Sequence, residues 1–136
     1  METPAESRKE KICHNPNYQA FQILRFAFAA IPLIAGFDKF LNFLIPWTQY
    51  LAPQFDVFHN PKTTMMSVGI GEIIVGLAVW FKPKIFAYVF ALLLLAVIVN
   101  LIMLGKFYDL VLTDFGLMLG ALALARLGKA WDKHIK

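Results

Sequence analysis

Three features of this chain predict an all-α fold, an integral membrane four-helix bundle with antiparallel up-down topology. Four apolar runs of near-spanning length follow one another along the sequence. None of them alternates with the period of two expected of a barrel strand. Of 136 residues only 16% are charged and 59% are hydrophobic, with a mean hydropathy of +0.61. A soluble domain carries about a quarter charged residues, so the deficit points to lipid rather than water around the helices.

The elements follow in order. Residues 1–17, METPAESRKEKICHNPN, form a polar tail, and residues 18–127 form one transmembrane domain. Its first span covers 18–39. Arg25 interrupts it so early that no signal-peptide core precedes the small-x-small match Ala27-Phe28-Ala29, so a retained helix is expected. The second span, 65–81, ends at Lys82-Pro83-Lys84, where Pro83 suits the first turn of the third span, 85–104. Gly105-Lys106-Phe107 then leads to the fourth span, 108–127, with Gly105 as the helix terminator. Residues 128–136 are a second polar tail. Connections this short make neighbouring helices antiparallel.

The connection 40–64 is longer and unusually apolar. Pro46, Pro53 and Pro61 exclude one continuous helix, and Trp47, Tyr50, Phe55 and Phe58 are residue types that settle at a membrane–water interface. An interfacial segment is expected, with Trp47 and Tyr50 as a lid over the outer half of the bundle. Cytoplasmic termini put Arg8, Lys9, Lys11, Arg25, Lys82, Lys84, Arg126, Lys129, Lys133 and Lys136 inside, against Lys39, Lys62 and Lys106 outside. That asymmetry sets the expected orientation. The formal net charge of +4 forms no continuous basic stripe, which argues against nucleic acid as a partner.

Small residues at four-residue spacing let helices approach closely in lipid. Ser67-x-x-x-Gly71, followed by Gly76, marks the second span for this role, and Gly116-x-x-x-Gly120 the fourth. These five residues are the expected packing positions.

Ionisable residues inside the spans carry the functional question. Glu72 lies near the centre of MMSVGIGEIIVGLAVWF, a run about 25 Å long at ~1.5 Å per residue. An acid at that depth is costly unless it is paired or opens onto a cavity, and it marks a functional site by default. Arg25, Ala29, Pro32, Gly36 and Lys39 recur at intervals of four and three and share one face of the first helix. Glu72 can pair with Arg25 or with Lys39, and Asp114 with Lys39. With Asn100 on the third helix, these residues are expected to form one intramembrane polar network of near-zero charge, which either fixes the register of the bundle or serves as a binding site.

Other chemistries find little to work with. The single cysteine, Cys13, excludes an intramolecular disulfide and a Cys-x-x-Cys motif. His14 and His134 belong to the tails and His59 to the outer connection, so no span offers a histidine to haem, zinc or iron. No metal, no cofactor of its own and no catalytic residue are expected.

LRFAFAAIPLIAGFDKF, with Arg25, Gly36 and Lys39, resembles the first helix of DoxX-like membrane proteins. GIGEIIVGLAVWFKPK, with Glu72 at the acidic position and Gly76 after it, resembles their second helix. TDFGLMLGALALARL, opened by Asp114, resembles the fourth. The likeness covers about residues 20–127. It implies a four-helix protein of a bacterial-type inner membrane, in a family named after a subunit of a thiosulfate:quinone oxidoreductase. Asn100 stands where some members carry a histidine, which weakens any transfer of histidine-based proton or quinone chemistry.

The function expected first is a non-catalytic accessory subunit of a larger, quinone- or redox-linked membrane complex, with other membrane subunits or further copies of itself as partners. The alternative is a stand-alone binder or carrier of a small lipophilic or anionic molecule, using the polar pocket around Glu72. An enzyme acting on a lipophilic substrate ranks last, since the chain supplies no nucleophile.

Overall fold

The computed structural model describes residues 13–44 and 46–131. It contains four long helices, α1 (Pro16–Leu41), α2 (Pro61–Phe81), α3 (Pro83–Leu104) and α4 (Tyr108–Trp131). All four are long and apolar enough to cross a membrane, and the described residues contain no strand. The chain is an all-α four-helix bundle with the character of a multi-pass membrane protein. Arg8, Lys9, Lys11, Lys133, His134 and Lys136 lie outside the described residues.

The helices begin earlier than their apolar runs because the capping residues are polar. The Asn15 side chain accepts from the Asn17 amide at 2.9 Å, and α1 starts at Pro16, inside the stretch expected as a tail. The Asn60 side chain accepts from the Lys62 amide at 3.2 Å, so α2 starts at Pro61 rather than at residue 65. Proline suits both starts, having no amide hydrogen to leave unpaired. Gly105, at φ 77°, ends α3 in the left-handed conformation. At the other end of the bundle α4 continues to Trp131.

The helices form a ring in which α1 lies chiefly on α2 and α3 on α4, and the two hairpins meet along α2–α3 and α1–α4. In lipid the apolar side chains gain little by leaving solvent, so close fit holds such helices together. At the end that carries the chain termini the fit is made by rings and methyl groups. Phe21, Phe28, Val79, Phe90 and Leu124 are buried there among alanines of α1, α3 and α4. Phe28 and Phe90 meet edge to face at 5.7 Å. Tyr18 and Trp131 do the same at 5.4 Å.

Between α1 and α2 the fit is made by backbone. A Cβ on Gly36 would stand 2.6 Å from the Gly69 carbonyl oxygen, and one on Gly76 would stand 2.8 Å from that of Ala29. Gly120 lies under the Phe28 ring, where a Cβ would come within 2.9 Å. The expected packing positions are therefore corrected. Gly76 and Gly120 lie between helices of this chain, whereas Gly71 and Gly116 face open space. Ser67 is exposed and donates to the Thr63 carbonyl of its own helix. Spacing identifies a stripe of small residues, but only the rotation of the helix decides which stripe meets a neighbour. In α2 it is Gly69 and Gly76, two turns apart.

Candidate functional site: a buried ion pair beneath the α1–α2 connection

The α1–α2 register decides which cation Glu72 meets. Gly36 lies against Gly69, and Ala29, two turns earlier, lies against Gly76 two turns later. Four residues further along the same register, Arg25 falls level with Trp80. Arg25 and Lys39 are then displaced from Glu72 by comparable distances along the bundle, about 12 and 9 Å at ~1.5 Å per residue. Side-chain direction breaks the near tie. Helical side chains lean toward the N-terminus of their own helix. In this antiparallel pair, Lys39 and Glu72 lean toward each other, while Arg25 and Glu72 lean apart.

The contacts follow this geometry. Lys39 Nζ lies 2.7 Å from Glu72 Oε2, and both residues are buried. Arg25 turns the other way. Its Nε donates to the Trp80 carbonyl at 2.7 Å, its Nη1 donates to Gln22 Oε1 at 3.2 Å, and its guanidinium lies 4.0 Å from the centre of the Trp80 ring. This arrangement anchors Arg25 at the termini end with its charge against an aromatic face.

A roof covers the ion pair. Two short 3₁₀ turns, Trp47–Tyr50 and Pro53–Phe55, fold the α1–α2 connection back over the bundle, the first against α2 and α3 and the second against α3. The Trp47 ring lies 3.8 Å above Lys39 Nζ. Asp38, the residue before Lys39, holds that ring in place by accepting from Trp47 Nε1 at 2.6 Å. Asp38 also accepts from the Phe43 and Leu44 amides, each at 3.0 Å, where the chain leaves α1. Tyr50 stacks edge to face on Phe107 at 4.6 Å. Further along, Asp56 accepts from Thr64 Oγ1 at 2.6 Å and ties the connection to the start of α2.

Asn100 serves the roof rather than the charges. Its Nδ2 donates to the Tyr50 carbonyl at 2.5 Å, and its Oδ1 accepts from the Ala52 amide at 2.8 Å. An amide side chain can do both at once, and here it completes the backbone hydrogen bonding of a non-helical segment at the end of the bundle. Ala52 is fully buried as a result.

Asp114 is the remaining member of the expected network. It projects from α4, half-buried, within electrostatic reach of Glu72 and Lys39. It makes neither an ion pair nor a hydrogen bond among the described residues. The single balanced network expected from sequence is thus corrected to three separate groups. Lys39, Glu72 and Asp114 form the charged centre, Asn100 belongs to the roof, and Arg25 belongs to the opposite end.

The correction changes the chemistry available. The centre holds two carboxylates and one ammonium, so it is acidic by one charge when all three are ionised. Such a centre accepts a proton, a cation or the hydroxyl of a neutral ligand more readily than an anion. Lys39 supplies a donor beside the two acceptors. No group of three His, Cys, Asp or Glu side chains capable of holding a metal gathers among the described residues.

Asp38, Asp56 and Thr64 escaped sequence reasoning, since their partners belong to an irregular segment whose path no periodicity predicts. The Lys39–Glu72 pair was within reach, since helix direction and side-chain lean select it. The chain matches none of the protein-family models, curated proteins or solved structures with which it was compared.

Proposed function

We propose that this chain is a multi-pass protein of a bacterial-type inner membrane, with both termini cytoplasmic, that holds a small lipophilic molecule at the Lys39–Glu72–Asp114 centre. One observation carries this assignment: a buried ion pair roofed by an indole, with a second carboxylate beside it that makes no hydrogen bond among the described residues. A purely structural pair needs neither the roof nor the extra acid. A quinone-like head group suits the centre, because its carbonyl oxygens can accept from Lys39 and the hydroxyls of its reduced form can donate to the carboxylates. The resemblance to DoxX-like proteins points the same way only through the quinone-linked subunit that names the family, since Asn100 offers no histidine for quinone chemistry. The test is thermal unfolding of the purified protein with and without a short-chain ubiquinol. Protection of the wild type that disappears in Glu72→Gln, with the variant still folded, is the expected result. Equal protection of both would remove the centre from consideration.

A second proposal, compatible with the first, is that the protein is a non-catalytic accessory subunit of a larger redox-linked assembly. Gly116 supports it, because this small residue of α4 faces open space between the exposed side chains of Leu112, Phe115 and Leu119. A neighbouring transmembrane helix fits there closely. Mild-detergent extraction should recover a partner from the native membrane that Gly116→Leu releases. A wild-type protein that is monodisperse and alone would count against it.

A further inference from the structure

At the termini end, away from the ion pair, α3 and α4 enclose an open groove of about 590 Å³. Lys84, Arg126 and Lys129 border it, and Tyr88, Val89 and Ala125 form its apolar wall and floor. The groove has a local cause. A Cβ on Gly128 would stand 2.9 Å from the Lys84 amide nitrogen, so Gly128 allows the end of α4 to touch the start of α3. One turn deeper the small, buried Ala125 leaves a hollow between the two helices.

We propose that this groove binds an anionic phospholipid, with its phosphate at Arg126 and Lys129 and its acyl chains along α3. Charge and apolarity are arranged in the order a lipid presents them. Among the described residues no acidic side chain lines the groove, and Asp132 and Lys133, which follow in sequence, cancel in formal charge. The exposed faces of Ile85, Tyr88 and Leu92 continue from the cations along α3 toward the middle of the span. A soluble phosphate would use the cations and leave this apolar strip unused. Basic pockets between transmembrane helices commonly hold anionic head groups. The positive-inside orientation would set the groove in the leaflet where such lipids are richest.

Native mass spectrometry of the full chain, released from neutral detergent with equimolar dioleoylphosphatidylglycerol and dioleoylphosphatidylcholine, tests the proposal. The wild type should carry phosphatidylglycerol in about thirtyfold preference, what two surface cations supply. Arg126→Gln with Lys129→Gln should bring the two lipids to parity; both residues are exposed, and circular dichroism should show helicity unchanged. Exchanging the cations, as Arg126→Lys with Lys129→Arg, should keep the preference, as should Arg8→Gln, Lys9→Gln and Lys11→Gln together. Parity in the wild type would overturn the proposal, as would a preference that survives loss of the two groove cations or is lost with the three tail cations. Displacement of the bound lipid by millimolar glycerol 3-phosphate would also overturn it, since a soluble phosphate would then suffice.

Discussion

Gly36 and Gly69 face each other across α1 and α2 so closely that a Cβ on either would stand within 2.7 Å of the other's carbonyl oxygen. Backbone cannot give way there as a flexible side chain can. Gly36→Ala or Gly69→Ala should therefore destabilise the bundle by about 1–3 kcal/mol. Gly116→Ala, into open space, should be neutral or gain a few tenths of a kcal/mol from helix propensity. Denaturant unfolding in detergent, followed by circular dichroism, separates the two classes.

The Lys39–Glu72 pair calls for a double-mutant cycle. Lys39→Met alone leaves Glu72 buried without its cation and should cost about 3–5 kcal/mol, provided the carboxylate stays ionised. Protonation of Glu72 would reduce that cost. Lys39→Met with Glu72→Leu removes both charges, and stability should return to within about 2 kcal/mol of the wild type. Additive losses in the double variant would show that the two residues act independently.

Asp38 holds the roof by accepting two backbone amides and the Trp47 indole. Asp38→Ala should free the ring and cost about 2 kcal/mol, as expected for hydrogen bonds to a charged acceptor. Trp47 emission, isolated by replacing Trp80 and Trp131 with Phe, should become more accessible to a water-soluble quencher. Unchanged quenching would mean that the 3₁₀ turn holds without Asp38.

Asn100→Leu should release the same roof from the opposite side. The Ala52 amide, now bonded to Asn100 Oδ1 and buried, should exchange its hydrogen at least about tenfold faster, the factor equivalent to ~1.4 kcal/mol. Amides in the middle of α3 should keep their protection, because the hydrogen bonds of a helix do not depend on this side chain.

The sequence made the four helices legible because apolar runs of spanning length have few alternatives in lipid. Their ends were less legible, since Asn15 and Asn60 cap from outside those runs. Trp47 and Tyr50 were recognisable as interfacial residues, but their hold on the bundle runs through Asp38 and Asn100, which no spacing rule connects to them. Arg25 and Lys39 looked equivalent because both lie on the face of Gly36. Only side-chain lean along an antiparallel neighbour separates them. The stripe of Gly69 and Gly76 was obscured because its members stand seven residues apart rather than four.

The bundle resembles a clothes-peg. One end is jammed shut by interlocking rings, and the other is closed by a latch of polar contacts running from Asp38 through Trp47 to Asn100. Rings wedged among four helices part only when the helices part, whereas hydrogen bonds can be exchanged one at a time. Loss of the latch would therefore loosen the roof over the jaws while the ring end and the Gly36–Gly69 contact keep the helices together. Any molecule that reaches Glu72 would pass at the jaws, and the strength of the latch would set how fast it comes and goes.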